Sequence, residues 1–261
     1  MRNDIRRLMV GLAVAGALSG CNAVLGPTAP DGHWTVLDRG RITFYVRPGS
    51  FAEQSADVLG SVLNDQFAVS VGTLSLRYDG RITVFLHNSG DDAGFGSDAG
   101  GGDHSGVAYP DTETVKSVAV PPLDGNLMAL LSHEVNHVII RNGLGRPGTS
   151  FLNEGLASAV LSERYHSQGP TSFHHWVATH RAQVPRLVDL VDDDRWREAP
   201  QAAAYTSSAS FLAYLISTYG ADRLRALYPA SSAAFTGKFS DVYGMTLEQA
   251  EIAWLTFCEG R

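Results

Sequence analysis

Residues 130–140 read LLSHEVNHVII. His133 and His137 stand four apart. On an α-helix that spacing sets two imidazoles about 40° apart around the axis and one turn apart along it, so both can aim at one point. Zn²⁺ accepts such nitrogens at about 2.0–2.1 Å. Glu134, turned about 100° from His133, can stand beside the metal without binding it and serve as general base toward water. An ordinary buried helix whose histidines are hydrogen-bonded core residues is the alternative this pattern leaves open, and a third ligand shifts the balance.

FLNEGLASAV, residues 151–160, supplies one. Glu154 falls seventeen positions after His137, in the expected first turn of the next helix, where the helix dipole and free amides favour an ionised carboxylate. Gly155 and Ala157 leave room for the two helices to approach. Two imidazoles and one carboxylate leave a coordination position for solvent, the mark of a catalytic zinc; a structural zinc closes that position with protein.

The elements that must carry these residues follow from periodicity. RITFYVR (41–47), RITVFLH (81–87) and TVKSVAV (114–120) read as strands, the last halted by Pro121 and Pro122. Phe51, Val58, Leu59, Val62, Leu63 and Phe67 recur at helical steps between the first two. Residues 88–106 are dominated by Gly, Asp and Ser and read as a mobile loop; Asp91, Asp92, Asp98 and Asp103 match neither an EF-hand nor a glycine-rich calcium repeat. From 125 to 142 the pattern is helical, capped by Asp124 and stopped by Gly143, with Leu127, Leu131, Val135 and Val138 on the face opposite the histidines. Further helices are expected from near Ser150 and over about 171–183, 201–219, 221–228 and 246–258. His174, His175 and His180 read as surface residues of an amphipathic helix rather than a second metal site, since no acid or cysteine stands at helical spacing. The expected fold is α+β: a small mixed sheet packed on the zinc-binding helix (34–149), then an all-helical part (150–261).

HEVNH followed by NEGLA resembles the gluzincin metallopeptidases, the group that includes thermolysin-like and aminopeptidase N-like enzymes. Residues 203–228 and 243–257 resemble the helical tail of small bacterial proteins of this group, the peptidase MA-like proteins, and the likeness loosely covers 41–258. It implies a zincin-like fold, one catalytic Zn²⁺ held by His133, His137 and Glu154, and Glu134 as catalytic base. It implies that the strand at 114–120 is the edge strand that holds an extended peptide. It also implies a Tyr or His from the helical half at the oxyanion, for which Tyr205 is the first candidate and His180 the second. The glycine-rich exopeptidase motif is not visible, so the expectation is an endopeptidase. Ser158 stands where thermolysin-like enzymes carry an aspartate that orients a histidine.

At the amino terminus, Arg2, Arg6 and Arg7 precede an apolar run from Leu8 to Leu18 that ends in Ser19, Gly20 and Cys21. The order basic, apolar, small, Cys resembles a bacterial lipoprotein signal (1–20), with lipid attached at Cys21 and a tether over 21–33 rich in Gly and Pro. Localisation in the cell envelope, on the outer membrane, is the matching expectation, since Asn22 follows the cysteine. With Cys21 lipidated, Cys258 has no disulfide partner. A net charge of −7 over 261 residues, with 44% hydrophobic content, describes a globular acidic chain and argues against a nucleic-acid partner. The expected partners are a peptide or protein substrate and, through Cys21, a membrane. A zinc-retaining binding lipoprotein that captures peptide without cutting it, and an envelope protein without metal, are the rival readings.

Overall fold

A computed structural model describes residues 33–95, 105–165 and 167–260. The expected signal, Cys21, the tether up to residue 32, Asp98, Asp103 and His166 lie outside the described residues. The architecture is α+β, a mixed sheet in the N-terminal part followed by a mostly helical region. Two compact units divide the described residues: 33–68 with 78–142, and 69–77 with 143–260.

The first unit opens on a hairpin of β1 (Thr35–Arg39) and β2 (Ile42–Val46), turned by Gly40 at φ +71. Asn64 fixes that turn, its Oδ1 accepting from the Arg41 amide at 3.0 Å. Helix α1 (Phe51–Thr73) then carries the chain to β3 (Ile82–His87), which runs parallel to β2, as a crossover through a helix allows. After the short helix α2 (Gly90–Ala93) come β4 (Gly106–Tyr109) and β5 (Thr114–Val118), and the strand order is β1-β2-β3-β5-β4. Alternation decides which side faces the core. Ile42, Phe44 and Val46 align with Ile82, Val84 and Leu86, Val84 aligns with Val115, and all are buried on one face.

Three expectations change here. Strand 114–120 ends at Val118 and is an inner strand, since β3 pairs with one side of it and β4 with the other; the sheet edge is β4. β4 is only four residues long and follows a glycine-rich stretch, so its alternation was too brief to read. Part of the expected loop at 88–106 is ordered, because Ser89 caps α2 by accepting from the Asp92 amide at 3.1 Å and Gly94 ends it at φ +67. And the helix that bears His133, α3 (Gly125–Leu144), runs through Gly143 and ends before Gly145 at φ +91. Gly143 is there for closeness: a Cβ on it would meet Leu76 Cδ1 at 2.8 Å. At its other end α3 begins as expected, with Asp124 Oδ1 accepting from the Asn126 and Leu127 amides, both at 3.0 Å.

In the second unit follow α4 (Ser150–Ala159), α5 (Pro170–Thr179), a 3₁₀ turn (Arg181–Gln183), α6 (Leu187–Leu190), α7 (Asp193–Glu198), α8 (Gln201–Tyr219), α9 (Ala221–Leu227), α10 (Phe235–Tyr243) and α11 (Leu247–Glu259). α4 and α8 form its most extensive helix pair. Gly155 permits it, since a Cβ there would meet Ser208 Cβ at 2.7 Å, so the expected room at Gly155 serves α8. Phe151, Phe211, Phe235 and Trp254 fill the core around this pair, with Phe211 and Trp254 edge to face at 5.5 Å. No helix among the described residues is long and apolar enough to cross a membrane.

Asp92 ties α2 to the sheet. Arg47 donates to its Oδ1 at 2.5 Å, and the His87 Nδ1 lies 3.2 Å from its Oδ2. Hydrogen bonding from Arg47 holds the Asp92 carboxyl below its ordinary value of 3.8. Burial pushes the His87 imidazole below its ordinary 6.5, against the opposing pull of Asp92. In both cases the folded protein binds protons less readily than the unfolded chain, so stability present above the ordinary values is lost as pH falls, first below about 6.5 and again below about 3.8. Asp92→Asn is expected to cost about 1–3 kcal/mol at pH 7. It should also flatten the lower acid limb, as read by urea unfolding at pH 7, 5 and 3.5.

Candidate metal centre

From Leu127 to Ile140 every residue of α3 except Met128 is buried. The helix therefore has no solvated face, although it carries His133, Glu134, Asn136 and His137. Such burial is costly for ionisable groups unless they are paired or bind a metal. Leu127, Leu131, Val135 and Val138 are fully buried, as expected of the face opposite the histidines.

The rings of His133 and His137 stand edge to face at 87°, with their Nε2 atoms 3.0 Å apart. Two nitrogens on one tetrahedral Zn²⁺ would stand about 3.3–3.4 Å apart, so this pair is already aimed at a common point. Glu154 on α4 completes the group: one ligand atom from each of His133, His137 and Glu154 lies within 4.8 Å of the others. His133 is 0% exposed, Glu134 1%, His137 8% and Glu154 9%. A buried His133, His137 and Glu154 group can thus hold a metal ion. The donor set fits a divalent cation in charge as well, because Glu134 and Glu154 bring two carboxylates into burial and an ion of charge two balances them.

Glu154 sits in the second turn of α4 rather than the first, because the helix starts at Ser150 behind the Thr149 cap, whose hydroxyl accepts from the Leu152 amide at 3.2 Å. The helix dipole, whose effect falls off within the first turn, is therefore weak at Glu154. Asn153 Nδ2 donates to Glu154 Oε1 at 2.9 Å. Behind the histidines, Gln66 Nε2 on α1 donates to Asn136 Oδ1 at 3.0 Å, both side chains buried, and so fixes the rotation of α3 one residue before His137. Asn153 could have been singled out as the residue beside the ligand. Gln66, seventy positions from Asn136, carries no local signal.

Tyr205 is buried in α8 with its ring tilted against Trp196, centroids 5.5 Å apart. It stands one turn before Ser208, which abuts Gly155, the residue after Glu154. His180 ends α5 with its ring stacked on Trp176 at 5.0 Å. His174, expected on the surface, is a core residue: its Nδ1 lies 2.8 Å from Ser210 Oγ, which also accepts from Trp254 Nε1 at 2.9 Å. α5 packs on α8 and α11, and the face that bears His174 is the one they cover. Ser158 is buried. No protein-family model and no curated protein matches this chain.

Removing the neighbour that orients a metal ligand usually costs 10–100-fold in affinity. For a divalent cation held by this group, with Zn²⁺ as the probe, Asn153→Ala is expected to weaken binding by about tenfold, measured by competition with a chromophoric chelator, with the thermal unfolding midpoint of the metal-free protein little changed.

Proposed function

We propose that this protein is a zinc-dependent metallopeptidase of gluzincin type that cleaves internal peptide bonds. The observation that carries the reading is the convergence of His133, His137 and Glu154, with the carboxylate of Glu134 carried on the helical turn between the two histidines. The pairing of HEVNH with NEGLA, in the order and on the helices that the resemblance requires, supports the same class.

Bound by the three ligands, the ion would polarise the peptide carbonyl and lower the pKa of water at neutral pH. Glu134 takes the proton from the attacking water and hands it to the departing amine, which is general base followed by general acid catalysis by one carboxylate. Tyr205 is the proposed donor to the oxyanion, on the strength of its place in the helix that packs along α4. β4, the sheet edge, takes over the peptide-holding role, with backbone groups on its unpaired side free to pair with an extended substrate. Attachment to the envelope through Cys21 belongs to the same proposal and rests on the sequence alone.

Glu134→Gln is expected to retain one zinc per chain and to lose at least about a hundredfold in turnover. His137→Ala should lose the metal. A peptide-library digest with and without chelator, beside elemental analysis of the purified protein, checks both. Stoichiometric zinc without chelator-sensitive cleavage would favour a binding lipoprotein, and no zinc at all would remove the metal reading.

A further inference from the structure

We infer that Gly106 is a positioning residue for Glu134: the missing side chain on the edge strand sets where the base's carboxylate lies. The inference rests on the hydrolase reading for its catalytic consequence, but its geometric content stands apart from it. Gly106 opens β4 and pairs with Ser117 of β5. A Cβ built on it would stand 2.9 Å from Glu134 Cγ and 3.4 Å from both Cδ and Oε1. Carbon atoms in contact prefer about 3.5–4.0 Å, so there is no space for a methyl group between the strand backbone and the side chain of Glu134.

Which partner would yield is decided by what holds each. The strand is pinned at this point, because the Ser105 carbonyl accepts from Ser117 Oγ and from the Val118 amide, both at 2.8 Å. Retreat of β4 would break those bonds. α3 is buried throughout this stretch, so the helix axis cannot shift without disturbing the core. Side-chain torsions are softer than a packed backbone, so a methyl group at 106 would be relieved by turning those of Glu134. The three atoms nearest that Cβ all belong to Glu134, so it is this side chain that the methyl group meets first. The glycine is not there for backbone freedom, since its φ lies outside the left-handed region. It is required because of what lies beneath it.

The test is Gly106→Ala in the full chain, alone and in a cycle with Glu134→Ala, which removes the Cγ that the methyl would strike. The expected result is unchanged zinc stoichiometry and affinity, kcat on a peptide pool lower by about a hundredfold, and KM within about twofold, since a misplacement of about 1 Å at a reacting group has that effect. In the unfolding cycle, Gly106→Ala should lower the folding equilibrium constant by roughly tenfold beside Glu134 and leave it nearly unchanged beside Ala at that position. If Gly106→Ala keeps full turnover, or if its effect on stability is the same in both backgrounds, Gly106 does not position Glu134. A parent protein that binds zinc and cleaves nothing would overturn the hydrolase reading, and the stability cycle alone would then decide the contact. Should Gly106→Ala fail to fold, restored folding in the double variant supports the inference and continued failure overturns it.

Discussion

The energetics of this protein turn on a helix that has no wet side. α3 places two imidazoles and a carboxylate where a globular core normally holds only apolar groups, and Glu154 adds a second carboxylate beside them. Desolvating an isolated carboxylate costs many kcal/mol, far more than hydrophobic packing around it returns, so charges are kept inside a protein only with partners or a metal. An ion of charge two would answer this demand at a single point. The surroundings are amides and small residues. Gln66, Asn136 and Asn153 hold the polar groups in one orientation without adding charge, while Gly106 and Gly155 let neighbouring backbones come close to the residues that matter.

Much of this arrangement could be read from the chain. The four-residue spacing of His133 and His137 places them together on any helix, and Glu154 was identifiable from the NEGLA stretch. β2, β3 and β5 announced themselves by alternating branched and aromatic residues, and α8 by a long run between Pro200 and Gly220. What escaped had weak local patterns. β1 carries Asp38 and Arg39 on a strand with an exposed side, so its alternation is diluted. α7 and α10 are short, and their burial comes from one or a few aromatic residues such as Trp196 and Phe239. His174 looked like a surface residue because polar type is a poor guide when a buried serine and a tryptophan wait for it.

Sheet order was the least legible feature. Periodicity assigns strands but says nothing of who pairs with whom, so the inner position of β5 follows only from its registers with β3 and β4. β4, only four residues long, takes the edge in place of β5, and a Cβ on its first member would meet Glu134.

Cys258 is buried in the helical unit, its sulfur 3.6 Å from Ser210 Oγ and 3.7 Å from His174 Nδ1. A thiol enclosed in this way is shielded from alkylating reagents. With Cys21 replaced by serine, a single cysteine introduced at an exposed position, for instance in place of Ile252, would be the sole reactive sulfur, and fluorophores or spin labels could be attached there without mutating Cys258.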